Sequence, residues 1–302
     1  MGTYRILSVD GGGVRGATAI RLLQRLSWEF PNILDRVDLL AGTSTGAFIC
    51  ACLAKGMSFD DVFELYVTQS KYIFHRSWLR FFGFQALAAK YSKQGMKDIV
   101  TQVFEDTTLG ELRKNILIST LDLDAYDCNG KRSYKPKFFH NLECKDKNEL
   151  DIRISEILMY SAAAPTFFPS HNGYVDGGLV ANNPSVSAIA QALDPNTEPS
   201  PQLSDIRLLS IGCGKPTSYV AGTDHDWGFA QWSTKIIELM LNGAVEVADY
   251  ECRQLLKGHY IRANPYLDEE FKMDSVSCIP RMIEAADAYD ISSHIAWVES
   301  NF

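Results

Sequence analysis

Three short stretches carry groups that could do chemistry together. The first is GTSTG at 42–46, a G-x-S-x-G turn between an apolar β-type run and an apolar helical run. Such a turn holds its serine, Ser44, in a strained conformation with the hydroxyl exposed, while Gly42 and Gly46 have no Cβ to crowd the crossing backbones. The helix that follows aims its N-terminal N–H groups toward Ser44. Alone, the pattern also fits an ordinary glycine-rich strand-to-helix turn. The second stretch is DGGGVRG at 10–16. Exposed N–H groups of Gly11, Gly12 and Gly13 can cradle a phosphate, or donate to the negative oxygen of a tetrahedral acyl-transfer intermediate, where one donor is worth about 3 kcal/mol. A dinucleotide reading fails in detail. The acid expected about 20 residues on would be Asp35 or Asp38; Asp38 opens the next strand rather than closing it, and no Lys completes a Walker pattern. A purely structural turn stays open as well. The third stretch is Asp176-Gly177-Gly178, at the end of a short strand. A serine hydroxyl is a poor nucleophile until a base takes its proton. The six histidines, at 75, 140, 171, 225, 259 and 294, lie singly. On the residues alone two arrangements remain: His171 as base with Asp176 orienting it, or Asp176 taking the proton directly.

These groups need elements to position them. Tyr4 to Val9 reads as a strand and Ala17 to Phe30 as a helix; Val37 to Ala41 is a second strand, and Ala47 to Lys55 a helix stopped by Gly56. Helices are expected over Ser58 to Tyr66, Gly95 to Phe104, Ile152 to Ala163 and Pro184 to Leu193, the last with Pro at its first turn. Strands are expected at Ile116 to Asp122, Lys137 to Phe139, Tyr174 to Val175 and Ile206 to Ile211. Two helices close the chain, Ser233 to Leu256 and Pro280 to about Val298. Strands alternating with helices imply a mostly parallel α/β sheet covered on both faces.

Composition sets the class. The 302 residues are 46% hydrophobic and 22% charged, enough to bury a large core without disulfides or a structural metal. The 37 acidic and 29 basic side chains leave a net charge of -8, which argues against nucleic acid as partner. Seven cysteines show no C-x-x-C spacing and read as small hydrophobes, Cys50 and Cys52 among them, in a reducing compartment. No signal peptide is visible. Ile6 stands where a myristoylation pattern wants Ser or Thr. No apolar run reaches the roughly 18 residues of a membrane span. The expected location is cytoplasmic, with peripheral contact to a membrane.

Taken together, DGGGVRG, GTSTG, SAAAPTFFP at 161–169 and YVDGGLVANNP at 174–184 resemble the patatin-like phospholipase family in order and separation, over about residues 4–215. The resemblance implies a three-layer α/β/α sandwich. It implies hydrolysis of acyl esters in phospholipids, lysophospholipids or neutral lipids by a Ser–Asp dyad without metal or cofactor. Ser44 then corresponds to the nucleophile, Asp176 to the base in preference to His171, and the Gly11–Gly13 turn to the oxyanion hole. Asp10, Arg15, Gly16, Gly42, Gly46, Gly177 and Gly178 support these loops, Arg15 by holding the turn. Where many members have Asp-Gly-Ala this chain has Asp-Gly-Gly, which leaves the carboxylate intact. Residues 1–215 are expected to be the catalytic domain and 216–302 a helical portion packed on the same core. A neutral-lipid lipase, and an effector gated by a ligand or partner, are the alternatives; no sensor motif stands out.

Residues 72–93, YIFHRSWLRFFGFQALAAKYSK, are dense in aromatics, with Arg76, Arg80, Lys90 and Lys93 interspersed. They suit a pair of helices covering the core, a lid over an acyl pocket or an interfacial patch that includes Trp78 and Phe81, or a surface that docks a partner.

Overall fold

The computed structural model describes residues 2–73, 89–144, 149–217, 219–232, 235–267 and 271–302. Its centre is a seven-stranded sheet. The strands are β1 (Tyr4–Val9), β2 (Leu39–Gly42), β3 (Ile116–Tyr126), β4 (Arg132–His140), β5 (Tyr174–Asp176), β6 (Ile206–Ile211) and β7 (Tyr260–Ala263). The order is β7-β6-β1-β2-β3-β4, with β5 paired to β3. All pairs from β7 to β3 are parallel; β4 and β5 run antiparallel to β3.

Because side chains alternate across a strand, each β run feeds two cores. Leu7, Val9, Leu40, Ile116, Ile118, Leu209 and Ile211 face one side. They pack under α1 (Gly16–Glu29), α2 (Thr45–Lys55), α3 (Phe59–Ile73), α4 (Gln94–Phe104) and α5 (Ile154–Ser161). Tyr4, Ile6, Leu39, Ala41, Leu117, Ile206 and Leu208 face the other, against α6 (Ser185–Ala192) and α7 (Ile236–Leu256). The result is the three-layer α/β/α sandwich. Helix α2 is apolar on nearly every side, and Gly56 ends it in the left-handed region at φ 104°.

Several elements differ from the sequence reading. Tyr260–Ala263 forms a parallel edge strand beside β6, so residues 216–302 are not helical throughout. The closing helix is two, α8 (Ile279–Ala288) and α9 (Ser292–Asn301). The break falls where the Asp290 carboxylate accepts the Ser292 N–H at 2.9 Å, a local bond that competes with helix continuation. Strands β3 and β4 run out as a mostly exposed ribbon, whose polar sequence RSYKPK carries no alternation to mark it. Of the 72–93 segment, residues 74–88, including Arg76, Trp78, Arg80 and Phe81, lie outside the described residues. Among the described residues, no helix is long and apolar enough to cross a membrane.

Candidate active site

Ser44 sits on the two-residue step from β2 to α2, with φ 54° and ψ -118°. A non-glycine residue there costs about 1–3 kcal/mol, so its surroundings must hold it. The Ser44 N–H donates to Ser161 Oγ at 2.8 Å, and Ser161 Oγ donates to the Ser119 carbonyl at 2.8 Å. Ser161 is fully buried at the end of α5. Thr43 Oγ1 donates to the Ala181 carbonyl at 2.6 Å. Behind the elbow the chain crosses β1 so closely that a Cβ on Gly46 would lie 2.2 Å from the Val9 carbonyl oxygen. That contact requires glycine.

The DGGG turn follows β1 and lies beside the elbow. The Gly11 N–H donates to the Asn182 carbonyl at 2.9 Å, so it is committed to holding the loop and is not an oxyanion donor as it stands. The N–H groups of Gly12 and Gly13 make no hydrogen bond among the described residues. Gly13 has φ 57°, and a Cβ there would meet the Met273 carbonyl oxygen at 2.2 Å, while Val14 N–H donates to that oxygen at 2.8 Å. The Tyr66 hydroxyl accepts from Thr45 Oγ1 at 2.8 Å and donates to the Gly13 carbonyl, tying the turn to the residue after Ser44.

Asp10 anchors the turn through a partner the motifs do not contain. Arg262, from β7, donates to both Asp10 oxygens at 3.1 and 2.5 Å and to Ser210 Oγ at 2.6 Å. Both side chains are buried. Burial raises the Asp10 pKa against the pull of Arg262, and the carboxylate drives Arg262 further into its charged form despite burial. An arginine within the apolar strand YIRA was the sequence signal for this pair. Arg15 does not hold the turn by hydrogen bonds, since its guanidinium makes none to any described residue.

Asp176 reaches the same place from a distant part of the chain. On β3, Ile118 pairs with Gly42 of β2 and Thr120 pairs with Asp176 of β5. Strand β5 therefore carries on along β3 where β2 stops, and Asp176 comes up beside the elbow beyond the carboxyl ends of the parallel strands, where ligands bind in open α/β sheets. Asp176 is 7% exposed. Burial pushes its pKa up to about 6, opposed by the Gly178 N–H, which donates at 2.7 Å, and by the Ser44 side chain. No cation is among the groups that shift it. His171 is turned elsewhere: Nε2 bonds Glu156 at 2.8 Å and Nδ1 bonds Lys93 Nζ at 3.0 Å, so both ring nitrogens are taken.

Ser44, Asp176, Gly12 and Gly13 line one cleft of about 1130 Å3, its mouth included. The rest of the wall is almost wholly apolar, including Phe48, Ile73, Met96, Val100, Leu158, Phe167 and Leu241. Just after the described chain resumes at residue 89, Lys90 and Tyr91 are both bonded to Asp274.

A serine elbow and a glycine turn at the carboxyl edge of a parallel sheet, opening on an apolar cleft, define an α/β protein with the architecture of a lipid ester hydrolase. The chain belongs to the patatin-like phospholipase family, whose sequence profile matches residues 7–189. It is similar over its whole length to Protein teg of Priestia megaterium, at 26% identity and with all of that protein covered. It is 27% identical to a cGAMP-activated phospholipase of Pseudomonas aeruginosa, over 91% of this chain and 84% of that one. Patatin-like protein 2 of Oryza sativa is 28% identical over 81% of this chain and 71% of that one. Among solved structures, VipD from Legionella pneumophila superposes with a TM-score of 0.49 at 12% identity, over all of this chain and 67% of the other.

Proposed function

We propose that the protein hydrolyses the carboxylic esters of acyl lipids, phospholipid or lysophospholipid, through an acyl-enzyme on Ser44. The observation that carries this is the strained Ser44 beside a buried, cation-free Asp176, at the foot of a cleft with an apolar wall. Asp176 accepts the Ser44 proton as the hydroxyl oxygen attacks the ester carbonyl. The negative oxygen that forms is met by the free N–H groups of Gly12 and Gly13. Collapse of the tetrahedral intermediate breaks the acyl C–O bond and returns the proton to the departing alcohol or lysolipid. Water then attacks the acyl-enzyme with Asp176 again as base, releasing the fatty acid and restoring Ser44. The apolar wall supports an acyl chain as the buried half of the substrate, and the protein reaches lipid transiently at the membrane surface from the water side.

The test is labelling of intact protein by a serine-directed fluorophosphonate, together with fatty-acid release from phosphatidylcholine and lysophosphatidylcholine. One adduct is expected, absent in Ser44→Ala, with hydrolysis lost in both Ser44→Ala and Asp176→Asn. Hydrolysis that survives either substitution would overturn the assignment.

A further inference from the structure

The chemistry above leaves one buried charge unused. Arg15, two residues beyond the oxyanion turn, is 5% exposed, and its Nε is enclosed with no partner. Its guanidinium has no hydrogen bond to any described residue. Burial pulls its pKa down, but an arginine does not shed its proton in a protein, so the charge stays and needs acceptors.

Arg15 borders a second cleft of about 1550 Å3, mouth included, which neither Ser44 nor Asp176 lines. The first turns of α7 divide the two spaces: Ile237 and Leu241 face the apolar cleft, Glu238 and Asn242 the second. The second cleft carries charged groups on a wall that is otherwise mixed polar and apolar. Its cations are Arg15, Lys215 and Lys235, and its carboxylates Asp10, Glu238 and Glu246. Asp10 is taken by Arg262, and Glu246 by Lys215 at 2.8 Å. Glu238 acts on Arg15 through its charge. With those pairs set aside, Arg15 and Lys235 face Glu238, so the described wall carries an excess of positive charge in a chain of net charge -8. A planar fork of donors on the floor, with a flexible ammonium above it, matches tetrahedral phosphoryl oxygens better than any neutral group.

We propose that this second cleft binds a phosphate-bearing molecule, with Arg15 as its floor contact and Lys235 on its wall. The phosphate comes either from a small soluble ester or from a lipid headgroup at the cleft mouth. Asn182 lines both clefts and holds the Gly11 N–H, and Asp10 and Gly11 of the glycine turn border the second cleft as well. Binding is measured without turnover, so the two proposals fail separately.

The experiment is titration calorimetry of the full chain with inorganic pyrophosphate against sodium chloride of matched ionic strength, using wild type, Arg15→Gln and Lys235→Glu. A parallel arm measures sedimentation with vesicles of phosphatidylglycerol or of phosphatidylcholine. Saturable pyrophosphate binding is expected in wild type, weakened about tenfold or more in K235E and abolished in R15Q. K235E is expected to keep wild-type melting and Ser44 labelling, so it carries the test if R15Q fails to fold. Binding of phosphatidylglycerol vesicles alone, lost in K235E, supports the headgroup source. Absence of saturable binding in both arms, or equal affinity in all three proteins, overturns the site.

Discussion

Replacing Asp176 by asparagine separates what the carboxylate does for catalysis from what it takes from stability. In the folded chain its pKa stands at about 6 against an ordinary 3.8. Each unit is worth about 1.4 kcal/mol, so ionising Asp176 in place costs the fold about 3 kcal/mol relative to the unfolded chain. The folded state binds this proton more tightly than the unfolded state does. The stability it contributes is therefore fully present below about pH 4 and is lost as the pH rises through about 6. Asparagine has nearly the same shape, keeps an oxygen for the Gly178 N–H, and never ionises. Urea unfolding of both proteins, followed by tryptophan fluorescence between about pH 4 and pH 8, isolates the group because every other titration is shared. D176N is expected to gain about 2–3 kcal/mol on wild type between those two limits while losing activity throughout. In wild type, kcat/KM for a soluble short-chain ester should rise with pH about a midpoint near 6. A stability difference that stays flat with pH, with an activity limb near pH 4, would refute both the burial argument and the role of Asp176 as base.

Three further substitutions probe how the site is held. Ser161→Ala strips partners from the Ser44 N–H and the Ser119 carbonyl, both at 2.8 Å. At about 1–3 kcal/mol for each buried group left unpaired, it should cost about 2–6 kcal/mol in urea unfolding and lower kcat with the elbow. Arg262→Met leaves Asp10 buried without its cation and should cost about 3–5 kcal/mol, with D10N in the same chain recovering part of that loss in the same assay. Tyr66→Phe removes the link between Thr45 and the Gly13 carbonyl. It should lower kcat on a soluble ester with KM little changed, for about 1–2 kcal/mol of stability by thermal melting.

What could be read from the sequence was whatever chemistry is local. The short, mostly apolar β-type runs of Tyr4–Val9 and Ile206–Ile211 mark strands buried on both faces, and the glycine spacing of the two turns marks close crossings, because each pattern is written within a few neighbouring residues. The supports of the site lie far off in the chain. Ser161 meets Ser44 across 117 positions, Tyr66 meets Gly13 across 53, and Arg262 meets Asp10 across 252. No period or spacing links such partners. The same distance explains Gly11: its N–H looked free beside Gly12 and Gly13, and only the fold brings Asn182 to occupy it. Strand β7 escaped notice because it has four residues, one of them the arginine that interrupts its apolar pattern.

Asp10 and Asp176 show why one sheet edge needs two buried carboxylates with opposite company. Asp10 follows β1 and Asp176 ends β5, both are nearly excluded from water, and both are raised by burial. Asp10 has a guanidinium on both oxygens, an arrangement that fixes the turn and leaves the carboxylate no reason to take a proton from a neighbour. Among the described residues Asp176 is met by one N–H, from Gly178, and by the Ser44 side chain, so its negative charge is poorly compensated and its basicity is high. A cation placed beside Asp176 would stabilise the fold and lower its pKa toward the ordinary range, and the proton of Ser44 would then have no strong acceptor. On the proposed mechanism, the lack of a cation among the described groups that shift Asp176 is what leaves Ser44 its base, and the Asp10–Arg262 pair fixes the glycine turn beside it.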